Sequence, residues 1–172
     1  MDNVCIYQTT LLIFYNRMHM RVAFFHGLES KPFSEKNQIL IEHYGDTNVY
    51  APAMDYRDPW LFDTVLKEIR ERDIELLIGS SMGGYFAYCL STMTGIPTIL
   101  FNPAVIGRSF DPVTEMGLIS SKHRVILGIN DDVIDPIKST DYFMRHGIGE
   151  FEYYKEDIGH RIPREVFIRW VT

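Results

Sequence analysis

Residues 74–84 read Ile74-Glu75-Leu76-Leu77-Ile78-Gly79-Ser80-Ser81-Met82-Gly83-Gly84. A mostly apolar run breaks into small residues, and a second apolar segment, Tyr85 to Leu90, follows at once. The run Ile74–Ile78 has the length and composition of a buried strand, and Met82 to about Thr92 predicts a helix that is apolar around most of its circumference. Two serines and three glycines therefore fill a sharp strand-to-helix turn.

The same unit recurs on both sides of this stretch. Upstream, Arg21–Phe25 predicts a strand ending at His26-Gly27, and Ser34 is placed to cap a helix running to about His43. A short strand over Asn48–Ala51 ends at Pro52. Asp58-Pro59 reads as a helix start, followed by Leu61, Val65, Leu66 and Ile69 at helical spacing. Downstream, strands are expected over Pro97–Phe101, Arg124–Gly128 and Glu150–Tyr154, with a helix start at Asp135-Pro136 and a closing helix over Pro163–Trp170. Strands alternating with helices imply an α/β architecture: one domain with a mainly parallel sheet of about six strands and helices on both faces.

In such a sheet, sites gather beyond the carboxyl ends of the strands. Those tips carry His26-Gly27, Ser80-Ser81, Asn102-Pro103, Asn130-Asp131-Asp132 and Gly159-His160. Gly79-Ser80-Ser81-Met82-Gly83 fits G-x-S-x-G, in which small residues two before and two after the serine let the helix start pack on the strand. The turn lifts the Ser81 hydroxyl clear and aims the Met82 N–H at the place where an oxyanion would form. Ser80 is the rival hydroxyl, but the glycine spacing favours Ser81. His160, after a glycine at the last strand tip, is the candidate base. Asp131, first after its strand, is the candidate orienting acid ahead of Asp132, and Asp135 is better placed as a helix cap. The order Ser81, Asp131, His160 is the order in hydrolases built on this kind of sheet. His26-Gly27 would supply a second oxyanion donor, the Leu28 N–H.

Composition excludes several alternatives. The chain has 172 residues, a net charge of −6 and no basic run, which argues against nucleic acid or an anionic membrane surface as partner. No apolar run reaches the length of a membrane span. Cys5 and Cys89 make no metal-ligand pattern and give no reason to expect an oxidising compartment, so a cytoplasmic location is expected. Residues 1–20 form an extension with two open readings. Val4–Tyr15 is either an extra edge strand or hairpin, or it precedes a natural start at Met18 or Met20, since Met20-Arg21-Val22-Ala23-Phe24-Phe25 opens a strand directly.

From about Val22 to the end, the chain resembles the YqiA-like esterases, small bacterial α/β hydrolases. The resemblance is carried by His26-Gly27-Leu28-Glu29-Ser30-Lys31-Pro32, Gly79-Ser80-Ser81-Met82-Gly83-Gly84-Tyr85, Phe101-Asn102-Pro103-Ala104-Val105, Asp131-Asp132-Val133-Ile134-Asp135 and Gly159-His160. It implies a single-domain α/β-hydrolase fold over residues 21–172 with a minimal cap. It also implies nucleophile, acid and base at Ser81, Asp131 and His160, no metal or organic cofactor, and activity on acyl esters or thioesters. Asn130 stands where the family has glycine, Arg161-Ile162 where it has a small residue and an aromatic, and the stretch from Ile106 to His123 is shorter than its counterpart. That stretch normally shapes the entrance; here Phe110, Met116, Leu118 and Ile119 form either an apolar lip over the acyl site or routine loop packing. The expected function is a serine esterase. The alternatives are a thioesterase or acyltransferase with the same triad, and an inactive binding module.

Overall fold

The computed structural model describes residues 19–30, 34–108 and 118–172. Six strands, β1 (Val22–Phe25), β2 (Val49–Tyr50), β3 (Leu76–Ser80), β4 (Thr98–Phe101), β5 (Lys122–Gly128) and β6 (Glu150–Glu156), form one sheet in the order β2-β1-β3-β4-β5-β6. Every neighbouring pair is parallel. The chain steps outward from β1 to β2, then returns to the other side of β1 for β3. The order therefore reverses between β1 and β3, and a crevice opens where their carboxyl ends diverge.

Alternation along the central strands sends side chains to two separate cores. Ala23, Phe25, Leu77, Leu100 and Val125 pack beneath α2 (Leu61–Glu71), α3 (Met82–Thr94) and α4 (Pro136–His146). Val22, Phe24, Ile78, Ile99 and Ile126 pack beneath α1 (Glu35–Tyr44) and α5 (Arg164–Val171). Helix α3 is buried from Met82 to Thr92, so its apolar surface runs all round as the sequence required. Among the described residues, no helix is long and apolar enough to cross a membrane.

Several boundaries differ from expectation, β5 opening at Lys122 rather than Arg124 and β6 running on to Glu156 rather than Tyr154, and two of the shifts have a local cause. Strand β3 runs from Leu76 to Ser80, because Asp73 takes a left-handed turn (φ 47°) and Ile74 closes back on α2 through its N–H to the Ile69 carbonyl. Its far end then includes Gly79 and Ser80, which pair with Phe25 and Phe101. Helix α2 begins at Leu61 rather than Pro59: the Asp58 carboxylate accepts from the Trp60 N–H at 2.9 Å and closes a turn ahead of the helix. Asp135 caps α4 as expected, accepting from the Ile137 and Lys138 N–H groups. Ser34 stands at the start of α1, yet its side chain makes no capping bond. Residues 1–18 of the extension, Lys31 and Pro32 of the first motif, and Phe110 and Met116 of the expected lip lie outside the described residues.

Candidate active site

Ser81 is the turn between β3 and α3. Its backbone sits at φ 56°, ψ −121°, a conformation that non-glycine residues adopt at a cost of about 1–3 kcal/mol. Close packing enforces the turn. A Cβ on Gly83 would lie 2.0 Å from the Phe25 carbonyl oxygen, and one on Gly79 would lie 2.2 Å from the Gly83 carbonyl oxygen. The Ser81 N–H donates to the Phe101 carbonyl at 2.9 Å, and the Ser81 carbonyl accepts from Ala104 at 2.9 Å. The elbow is thereby fastened to β4 on both sides.

Three side chains from separate strand tips meet here. The imidazole of His160 places Nε2 3.1 Å from Ser81 Oγ, and Nδ1 2.8 Å from Asp131 Oδ2. The Asp131 side chain is fully shielded from solvent, while that of His160 keeps about a quarter of its surface open. Asp131 Oδ1 also accepts from the Val133 and Ile134 N–H groups at 2.9 and 2.8 Å, which fixes the carboxylate plane. A carboxylate can only accept, so Nδ1 of His160 carries the proton and Nε2 is left to accept from the serine hydroxyl. Asp132 is exposed.

The first motif lies alongside. A Cβ on Gly27 would come 3.2 Å from Ser81 Cβ, so its backbone rests against the serine. The role of His26 could not be read from its neighbours in sequence. It is buried, Nδ1–H donates to the Gly27 carbonyl at 2.8 Å, and Nε2 accepts from the Met54 N–H. Tyr56 donates its hydroxyl to the His26 carbonyl at 2.5 Å, and the Ser30 N–H reaches the Gly27 carbonyl at 3.1 Å. The peptide is planar and trans, so holding its carbonyl this way turns the Leu28 N–H to the opposite side.

Asn102 is the residue whose importance the sequence understated. Buried in a left-handed conformation (φ 43°), it accepts from the Gly128 N–H at 2.7 Å and donates Nδ2 to the Gly159 and His160 carbonyls at 3.1 and 3.3 Å. One amide thus joins the tips of β4 and β5 to the histidine loop. Asn102-Pro103 is more than a turn that closes a strand, and Pro103 itself packs against Gly84. Ile119 does not form a lip over the acyl site. The Ile119 N–H binds the Thr92 carbonyl at 2.8 Å, and its side chain packs on Gly95 at the far end of α3. A cleft of about 550 Å³ opens over Ser81 and His160, lined also by Leu28, Lys36, Val133 and Arg161.

Residues 21–115 match the profile of the uncharacterised protein family UPF0227. The match spans the first three motifs on which the resemblance to the YqiA-like esterases rests. Solved structures share the fold at low identity. A Xanthomonas campestris pv. campestris protein of the alpha/beta superfamily aligns with a TM-score of 0.64 at 18% identity, over 89% of this chain and 97% of its own. A carboxylesterase from Mesorhizobium loti gives 0.61 at 14%, over 89% and 88%. An esterase from Pyrococcus furiosus gives 0.67 at 15%, over 89% and 78%. The architecture is an α/β-hydrolase fold.

Proposed function

The chain belongs to the uncharacterised protein family UPF0227, and on that premise we propose that it is a serine esterase acting on small or medium acyl esters. The observation that carries this reading is the 3.1 Å approach of His160 Nε2 to a serine hydroxyl held in a strained elbow, with Asp131 behind the imidazole at 2.8 Å. Ser81 Oγ attacks the acyl carbonyl as its proton passes to His160 Nε2. The buried Asp131 carboxylate keeps the imidazole in the Nδ1–H tautomer and stabilises the cation that forms. The N–H groups of Met82 and Leu28 receive the oxyanion, and deleting one such donor elsewhere costs about 3 kcal/mol of transition-state stabilisation. His160 then returns its proton to the departing alcohol, and a water activated by the same imidazole releases the acyl group from Ser81. These groups complete the cycle with no metal or organic cofactor.

A fluorophosphonate probe tests the reading. Folded wild type should label at Ser81 and Ser81→Ala should not. Absence of wild-type labelling, or equal labelling of the variant, would remove the claim. Hydrolysis of 4-nitrophenyl esters beside acyl-thioesters then assigns the leaving group.

A further inference from the structure

The cleft over Ser81 and His160 has an unusual charge. The whole chain carries −6, yet among the described residues the cleft is lined by two strong cations, Lys36 and Arg161, and by one carboxylate, Glu29. Among the described residues, neither cation forms an ion pair. The acids nearby are engaged elsewhere: Arg164 holds Glu35 at 3.3 Å and Glu42 at 3.8 Å. Lys36 is half-buried, with its ammonium 5.9 Å from the centre of the Phe167 ring. Burial pulls its pKa below the ordinary lysine value, against a weaker opposing pull from Glu35. It also stands in the first turn of α1, the end at which the helix dipole disfavours a cation. The Phe167 ring face and the Glu35 carboxylate favour that ammonium only weakly, and an anion arriving in the cleft would supply the ion-pair partner it lacks among the described residues. The remaining walls include three apolar residues: Leu28, 60% exposed, Val133, 64% exposed, and the buried Ile162.

We propose that the ester taken by this cleft bears an anionic group, a carboxylate or a phosphate, held by Lys36 and Arg161 while its apolar portion lies against Leu28, Val133 and Ile162. This rests on the serine-esterase reading and adds the substrate class.

Matched esters test it. One pair places a carboxylate on the acyl side: the mono-4-nitrophenyl ester of glutarate against its terminal amide. The other places a phosphate on the alcohol side: 4-(butyryloxy)benzyl phosphate against 4-(butyryloxy)benzyl alcohol. Wild type should show kcat/KM about tenfold or more higher for the charged member of at least one pair, as expected for a hydrogen bond to a charged group. The ratio should fall in 0.5 M salt, added at about that concentration to screen the cations. It should collapse toward one in Lys36→Met/Arg161→Gln, while Lys67→Gln, on the exposed face of α2, keeps the wild-type ratio. Lys36→Met keeps the packed stem without the buried charge, so its urea midpoint should rise as the preference falls. A ratio of one or below in both pairs, or a ratio that the double variant leaves unchanged, overturns the proposal while esterase activity stands. If none of the four esters is hydrolysed and Ser81 does not take the fluorophosphonate, the esterase reading itself fails, and this inference with it.

Discussion

Replacing Ser81 by alanine and by glycine separates the chemistry of the elbow from its strain. Both variants lose the hydroxyl and its contact with His160 Nε2, so that loss cancels in the comparison. What differs is the backbone. At φ 56°, ψ −121° alanine keeps the strain of a side chain in a region that glycine enters freely, about 1–3 kcal/mol. Glycine pays for its greater freedom in the unfolded chain, about 0.4–1 kcal/mol. The balance favours Ser81→Gly over Ser81→Ala by about 1 kcal/mol. For a chain of 172 residues that corresponds to roughly 2–4 °C in Tm. Urea unfolding followed by tryptophan fluorescence gives the difference directly, with equal m-values required for the comparison. An alanine variant as stable as the glycine variant, or more so, would show that the elbow stores no strain.

Four further outcomes follow from the geometry. Asp131→Asn should cut ester hydrolysis by about 10³–10⁴-fold through the wrong imidazole tautomer, while Asp132→Asn, at an exposed position, leaves the rate unchanged in the same assay. Gly83→Ala drives a methyl to within 2.0 Å of the Phe25 carbonyl oxygen, between two backbones that cannot both yield. It should lower unfolding free energy by about 3 kcal/mol or more in urea. Tyr56→Phe releases the His26 carbonyl and loosens the loop that presents the Leu28 N–H; kcat should drop about tenfold with KM little changed. His123 is buried between the Thr98 hydroxyl and the Ile148 carbonyl, and burial lowers its pKa below 6.5. Between the lowered folded value and 6.5 the unfolded chain binds the extra proton. The contribution of the neutral imidazole is thus complete above about pH 6.5 and is lost as pH falls below it. Urea midpoints at pH 8 and pH 5 should diverge for wild type, and His123→Gln should narrow that gap.

Elements and chemistry were legible in different degrees. Short apolar runs placed the central strands β1, β3 and β4, because burial on both faces leaves little choice of residue type, while the edge strands β2 and β6, only partly buried, were placed by the turn residues that follow them. Boundaries moved where a local polar contact competed: Asp58 closes a turn in place of capping α2, and Asp73 delays β3 by two residues. The nucleophile candidate was visible because the constraint on it is local. Small residues flank Ser81 for the same reason that a Cβ at Gly79 or Gly83 would strike backbone.

The chain order alone determined that a serine, an aspartate and a histidine stand in that order at the tips of three strands, since parallel strands with helical crossovers deliver every strand end to one edge of the sheet. It also fixed the glycines of the elbow, whose requirement is written within five residues. Tertiary structure alone decided what lies between those tips. The Asn102 amide spanning to Gly128 and the His160 loop, the Tyr56 hydroxyl on the His26 carbonyl, and Lys36 beside Arg161 in the cleft join residues 26 to 125 positions apart. Hydrogen bonds and unpaired charges at such separations leave no period or spacing in a sequence; they exist only once the strands are in register.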